Sequence, residues 1–105
     1  MSVYALSLFN VKNKEEYAAY AKEAENGLAK HGGRALAFGK LLSTPTGDIE
    51  PRDIMTLVEW ESMSSILNFL NDPELAHIHP HRENGVDQFV WHLFEKLEDL
   101  QSVLR

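Results

Sequence analysis

The run VYALSLFNV at positions 3–11 carries Val, Tyr, Leu and Phe at the density of a strand and stops at Asn10 and the polar KNK, which predicts a first strand. The hydrophobic period then lengthens from two to about 3.6. Tyr17, Tyr20, Ala21, Ala24 and Leu28 recur on one side of a helix, Asn13 stands at its N-cap, and Glu16 three residues later makes a variant of the capping box. HGG at 31–33 ends that helix, because glycine enters the left-handed C′ conformation without steric cost. RALAFGKLLST predicts a second strand, PTGDIEP a turn rich in breakers, and RDIMTLVEW a third strand, the two strands forming a hairpin. SMSSILNFL is expected as a second helix that buries Met63, Ile66, Leu67 and Leu70. In NDPELAHIHP, Asp72 can cap and Pro73 suits the first helical position, so a short helical turn should follow and end before Pro80. DQFVWHLFEK alternates as a last strand, and LEDLQSVLR is an amphipathic tail with Leu97, Leu100 and Leu104 on one side.

The order β-α-β-β-α-β predicts an α+β, ferredoxin-like fold: one antiparallel four-stranded sheet with both helices on one face. Residues 1–96 form that domain and 97–105 a helical tail. The other face of the sheet needs an account. In the third strand Ile54, Val58 and Trp60 point one way and Met55 and Leu57 the other; in the fourth, Phe89, Trp91 and Leu93 oppose Val90 and Phe94. At ~25 cal/mol per Å² of apolar surface, leaving a second face of large side chains in water forgoes several kcal/mol, comparable to the stability of a small domain. One short tail is too small a cover. A homodimer packed sheet to sheet about a two-fold axis, a dimeric α/β barrel, is the expected solution.

Composition narrows the function. A chain of 105 residues, 44% hydrophobic and 25% charged, supports one core. Without cysteine there is no disulfide framework, thiolate metal site, iron–sulfur cluster or cysteine nucleophile. A formal charge of -6 with no compensating basic cluster argues against nucleic acid and against an anionic membrane surface. No apolar stretch reaches the ~20 residues of a membrane span and the start lacks the pattern of a secretory signal, so a soluble, cytoplasmic protein is expected. There is no GxSxG, phosphate-binding glycine loop or dinucleotide fingerprint.

Several side chains remain as candidates. His77, His79 and His81 would share one face of a strand, and as helix only His77 and His81 would align; Pro80 disturbs both arrangements and biases His79 toward extended backbone. Leu75 and Ile78 are the natural inward residues of that turn, which leaves the histidines solvated on its flanks and assigns no metal. His31 and Arg34 flank the glycines. Lys30 and His31 complement the negative end of the helix dipole, while a near-neutral histidine beside an arginine could also serve as acid/base or carboxylate site. Glu59 shares a strand face with Met55 and Leu57; burial would raise its pKa toward that of a general base, and the competing reading is an ion pair with Arg34, opposite it if the hairpin centres near Gly47. Arg82 is an anion anchor or a partner of Glu83 or Asp87. Tyr4, Tyr17, Tyr20 and Trp60 are candidates for an aromatic pocket, and His92, alternating with Val90 and Phe94, reads as a core or interface residue.

LAKHGGRALAFG, VEWES and LNDPELAHIHPHRENGVDQFVW, in that order, resemble a small bacterial domain-of-unknown-function family on the dimeric α/β-barrel fold. Its His-Gly-Gly-basic element is matched by His31, Gly32, Gly33 and Arg34, its Glu-aromatic strand end by Glu59 and Trp60, and its later segment by Pro73, Glu74, Ile78, Pro80 and Arg82, within residues 3–96. The resemblance implies a ligand pocket between sheet and helices and relatives that include cofactor-free monooxygenases, haem-degrading monooxygenases, muconolactone-isomerase-like enzymes and stress-responsive proteins; a shared fold does not select among them. The haem-degrading pocket places an Asn at the end of strand one, a Trp on the second helix and a His after it. Asn10 and His77 or His79 stand near two of these places, but Asn68 and Phe69 occupy the stretch of the Trp. The expectation is therefore a homodimer binding a small carboxylated or phenolic metabolite without cofactor, with His31 and Glu59 as acid/base candidates and Arg34, Arg82, Tyr17 and Trp60 as substrate-binding residues. A non-catalytic binding or stress-response module and a haem-binding protein are the alternatives.

Overall fold

A computed structural model describes all 105 residues. The alternating run at the start becomes β1 (Val3–Val11), followed by α1 (Lys14–Lys30), the hairpin strands β2 (Gly33–Lys40) and β3 (Ile54–Trp60), and α2 (Met63–Leu70). A 3-10 turn (Pro73–Ile78) leads into α3 (His79–Gly85), β4 (Val86–Glu95) and a last short helix, α4 (Gln101–Leu104). The four strands form one sheet in the order β2-β3-β1-β4, and every neighbouring pair is antiparallel. This is the ferredoxin-like α+β fold expected from the order of elements. No helix is long and apolar enough to cross a membrane.

Local chemistry sets the boundaries. The Asn13 side chain accepts the Glu16 N–H at 3.0 Å and starts α1, although the Glu16 carboxylate turns away to His81 instead of closing the box. The chain leaves α1 at Gly32, whose φ of +80° is a conformation that L residues avoid. The hairpin brings Arg34 opposite Glu59, as a turn near Gly47 requires, and a register shift between Ala35 and Ala37 bulges β2 at Leu36.

Three expectations need correction. In α2 the buried residues are Ile66 and Phe69, while Met63 (42% exposed) and Leu67 (52%) face water. A helix of eight residues presents only about one i, i+3 pair to Trp60, and 66/69 is that pair. The segment also passes through Pro80: the 3-10 turn stops at Ile78 and a new helix begins with Pro80 in its first turn, where the missing N–H would have no intrahelical partner. His79 is accordingly helical (φ -61°, ψ -42°) and not extended. The tail is helical only over Gln101–Leu104, and Leu100, Val103 and Leu104 are exposed, so it covers no sheet surface.

The core lies between the inner sheet face and the helices, where Val3, Ala5 and Trp60 meet Ala24, Ile66, Phe69 and Ile78. Only 12 of 105 residues are buried. The outer face, with Leu6, Leu8, Met55, Leu57 and Val90 half-buried and Phe94 49% exposed, has no layer over it.

Candidate functional site

The alternation of the strands decides what faces the helices. Ala5, Ser7 and Phe9 of β1, Thr56, Val58 and Trp60 of β3, and Phe89 and Trp91 of β4 form the floor of a cavity of about 450 Å³. Tyr17, Tyr20, Ala24 and Leu28 of α1 form its roof, and Arg82 of α3 closes one side. The volume falls in the ~300–1,000 Å³ range of small-molecule sites, and the few polar groups on an apolar lining are what such sites use to orient a ligand.

Arg82 is the one cation of that lining and makes no ion pair within the chain; neither Glu83 nor Asp87 reaches it. Its guanidinium lies 5.4 Å from the Phe89 ring centroid and beside the Tyr20 hydroxyl. Burial pushes the Tyr20 pKa up, against the downward pull of Arg82, and burial with the neighbouring Tyr20 raises that of Tyr17. Both phenols therefore stay protonated and able to donate at neutral pH. Phe9 and Tyr17 stack with centroids 5.3 Å apart, and Phe9 and Phe89 at 5.9 Å, so the walls beside Arg82 are aromatic faces. At the other end Trp60 is 1% exposed, and its Nε1–H has no acceptor.

Of the residues singled out from sequence, Tyr17, Trp60 and Arg82 converge on this cavity, joined by Tyr20. His31, Arg34 and Glu59 do not border it. Tyr4 sits on the outer face, with the Lys96 ammonium 5.8 Å from its ring centroid. Glu59 also points to that face, where its carboxylate accepts from Arg34 and Lys96 at 2.7 Å each. Lys96 first and Arg34 second hold its carboxyl below the usual range, which corrects the expected upward shift: two cations outweigh the burial. The Arg34–Glu59 pair stands as the hairpin register required. His92 lies exposed on the same face, 6.0 Å from Phe94 between ring centroids.

His31 belongs to a polar hub behind the cavity. Its Nε2–H donates to Asp72 at 2.8 Å, Lys30 reaches the same carboxylate oxygen at 2.8 Å, and the Glu74 N–H caps the other at 2.9 Å. Sequence identified Asp72 as a cap only; its partners Lys30 and His31 lie 42 and 41 positions away, where no local pattern reports them. Lys30, then His31 and the Glu74 N–H, hold the Asp72 carboxyl far below its ordinary 3.8. A depressed folded-state pKa contributes stability that is present above the unfolded value and lost as pH falls through and below it. Thermal melts between pH 6 and pH 2 should therefore show an acid limb beginning near pH 4 that becomes shallower in Asp72→Asn; an unchanged limb would remove Asp72 from the fold's acid sensitivity.

The three neighbouring histidines diverge. His77 pairs with Glu23, and His81 Nδ1 lies 2.5 Å from a Glu16 oxygen, so both tie this segment to α1 and are not simply solvated. His79 turns inward, edge-on to Phe69 with centroids 6.4 Å apart. Asn10 accepts the Asp53 N–H at 2.8 Å, a strand-end turn contact. None of the four borders the cavity.

A ferredoxin-like sheet with a ligand-sized apolar cavity under its helices defines the class. Residues 2–94 match a family described as a domain of unknown function, DUF1330, and the chain belongs to that family. No protein of curated function matches it in sequence. Its fold is similar to that of a protein of unknown function from Rhodopseudomonas palustris (TM-score 0.85, 19% identity, 93% of this chain and 84% of that one). It is also similar to a dabb family protein with a ferredoxin-like fold from Mesorhizobium loti (TM-score 0.65, 15% identity, 91% and 97%). SnoaB, a cofactor-independent oxygenase from Streptomyces nogalater, shares the fold as well (TM-score 0.67, 13% identity, 95% and 97%). At these identities the likeness is one of fold.

Proposed function

We propose that this protein is a homodimer, packed through the outer faces of its sheets, in which each subunit holds a small carboxylated or phenolic metabolite between sheet and helices. The observation that carries the reading is the single guanidinium without an ion pair, Arg82, set in a mainly aromatic and aliphatic cavity whose other polar lining residues are Ser7, Thr56 and Glu25. An arginine without a carboxylate partner beside apolar walls favours an anionic ligand whose body is hydrophobic. The half-exposed apolar outer face supports the dimer.

Cofactor-free, oxygenase-like chemistry is the second reading, favoured by the shared fold with SnoaB. In it the substrate reacts against Arg82 and Tyr20, while His31 and Glu59 act from outside the cavity by holding the structure.

Native mass spectrometry tests the proposal. The expected species has twice the 11.9 kDa chain mass and carries a small molecule from the cell that is released on denaturation. Arg82→Gln should remain dimeric and lose that mass. A monomer that arrives empty and takes up no aromatic acid on titration would end the reading.

A further inference from the structure

Resting on the proposal that the cavity holds a carboxylated metabolite, we infer that the same ligand carries an ammonium group at its other end: an amino-substituted aromatic acid lying across the strands, its carboxylate at Arg82 and its cation between Glu25 and Phe38.

Two charged residues line the cavity, and their signs are opposite: Arg82 and Glu25. Neither makes an ion pair within the chain. The phase of α1 sets them on opposite flanks of that helix. Glu16 pairs with His81 and Glu23 with His77, so their flank, with Tyr20 beside Arg82, faces α3 and the 3-10 turn. Each residue advances about 100° round a helix, which puts Glu25 about 200° from Glu23, on the flank away from α3. Glu25 is exposed there, so its carboxylate stays open to a ligand and to solvent.

The sheet supplies the second group. Without a bulge Phe38, three residues after Ala35, would point to the outer face. The register shift at Leu36 returns it to the inner face, where both residues line the cavity. Phe38 is nevertheless 76% exposed, because β2 is the edge strand at which the cavity opens. A carboxylate and a free aromatic face on one lining are the pair of groups that holds an ammonium ion, by charge and by the ring quadrupole. A hydrocarbon end would leave Glu25 without a role, and a second carboxylate would be repelled by it.

The floor links the two ends. Phe38, Thr56, Ser7 and Trp91 are cross-strand partners in turn, one row running from β2 to β4, where Phe89 lies against the Arg82 guanidinium. Three interstrand spacings make about 14 Å, which two linked rings with a charged group at each end bridge once the side chains reach inward.

Calorimetric titration at pH 7 tests the inference with three probes: biphenyl-4-carboxylate, 4′-(aminomethyl)biphenyl-4-carboxylate and biphenyl-4,4′-dicarboxylate. The aminomethyl acid should bind about fivefold tighter than the plain acid, and the diacid about threefold weaker. Glu25→Gln should bring the three within about twofold of one another, and Phe38→Leu should cut the gain from the amine to about twofold. Glu15→Gln makes the same change of charge at an exposed position of α1 outside the lining and should keep the full order. If the aminomethyl and plain acids bind equally, or if the order survives Glu25→Gln intact, Glu25 is a solvated rim charge and the inference falls while the anion site at Arg82 stands. If none of the three binds the wild-type protein, that site falls as well.

Discussion

Gly85→Ala should lower the melting temperature by about 10 °C or more, the largest stability effect expected of a one-methyl change in this chain. A Cβ at position 85 would stand 2.7 Å from the Tyr17 backbone nitrogen and 2.9 Å from its Cα, atoms that cannot rotate away. The Gly85 carbonyl also accepts the Lys12 and Asn13 N–H groups at 2.9 and 3.3 Å, so the end of α3 is bonded to the start of α1 where it is most crowded. Relieving the clash separates those bonds. Overpacking together with two strained hydrogen bonds costs about 2–3 kcal/mol, and about 4–8 °C accompanies each kcal/mol in a domain of this size. Because Tyr17 and Arg82 belong to the two helices forced apart, ligand affinity should fall in step. Asn84→Ala, exposed one residue earlier, should stay within about 0.5 kcal/mol of wild type. Circular dichroism melts of the two variants decide it: a Gly85→Ala protein that melts with the wild type would refute the close approach of α3 to α1.

Leu57→Arg should convert the proposed dimer to monomer. Leu57 pairs with Leu6 on one side and Ala37 on the other, at the centre of the outer face, and a two-fold axis would bury two of the new charges without partners. Each costs several kcal/mol, which weakens association by about 100-fold or more. Analytical ultracentrifugation at micromolar concentration should find the chain mass instead of twice that mass. Since so few residues are buried in a single chain, the monomer should also melt lower than the dimer. A Leu57→Arg protein that sediments as wild type would place the interface elsewhere, with the exposed Leu42 and Ile49 of the β2–β3 connection as the next surface to change.

How far the site was legible follows the range of the forces involved. Tyr17 and Trp60 could be assigned to the cavity because helical period and strand parity are local, and Tyr20 and Trp91 carried the same signal. Arg82 was legible as an anchor or as a surface pair; the choice depended on where α3 points its side chains, which in turn depended on Pro80 starting a helix instead of stopping one. His31 and Glu59 carry chemistry suited to acid/base work, but side-chain chemistry alone does not say which groups will meet them. The fold spends one on Asp72 and the other on Arg34 and Lys96.

The sequence by itself determined the four strands and the two main helices, their order, the hairpin register that puts Arg34 across from Glu59, and the apolar outer face, because periodicity, caps and turns act over a few residues. The tertiary structure alone decided that His77 and His81 reach α1 while His79 turns inward, that Asp72 gathers Lys30 and His31, and that Arg82 is left without a carboxylate. The ion pairs among them join residues 41 to 65 positions apart, and which charge meets which is settled only when whole helices pack.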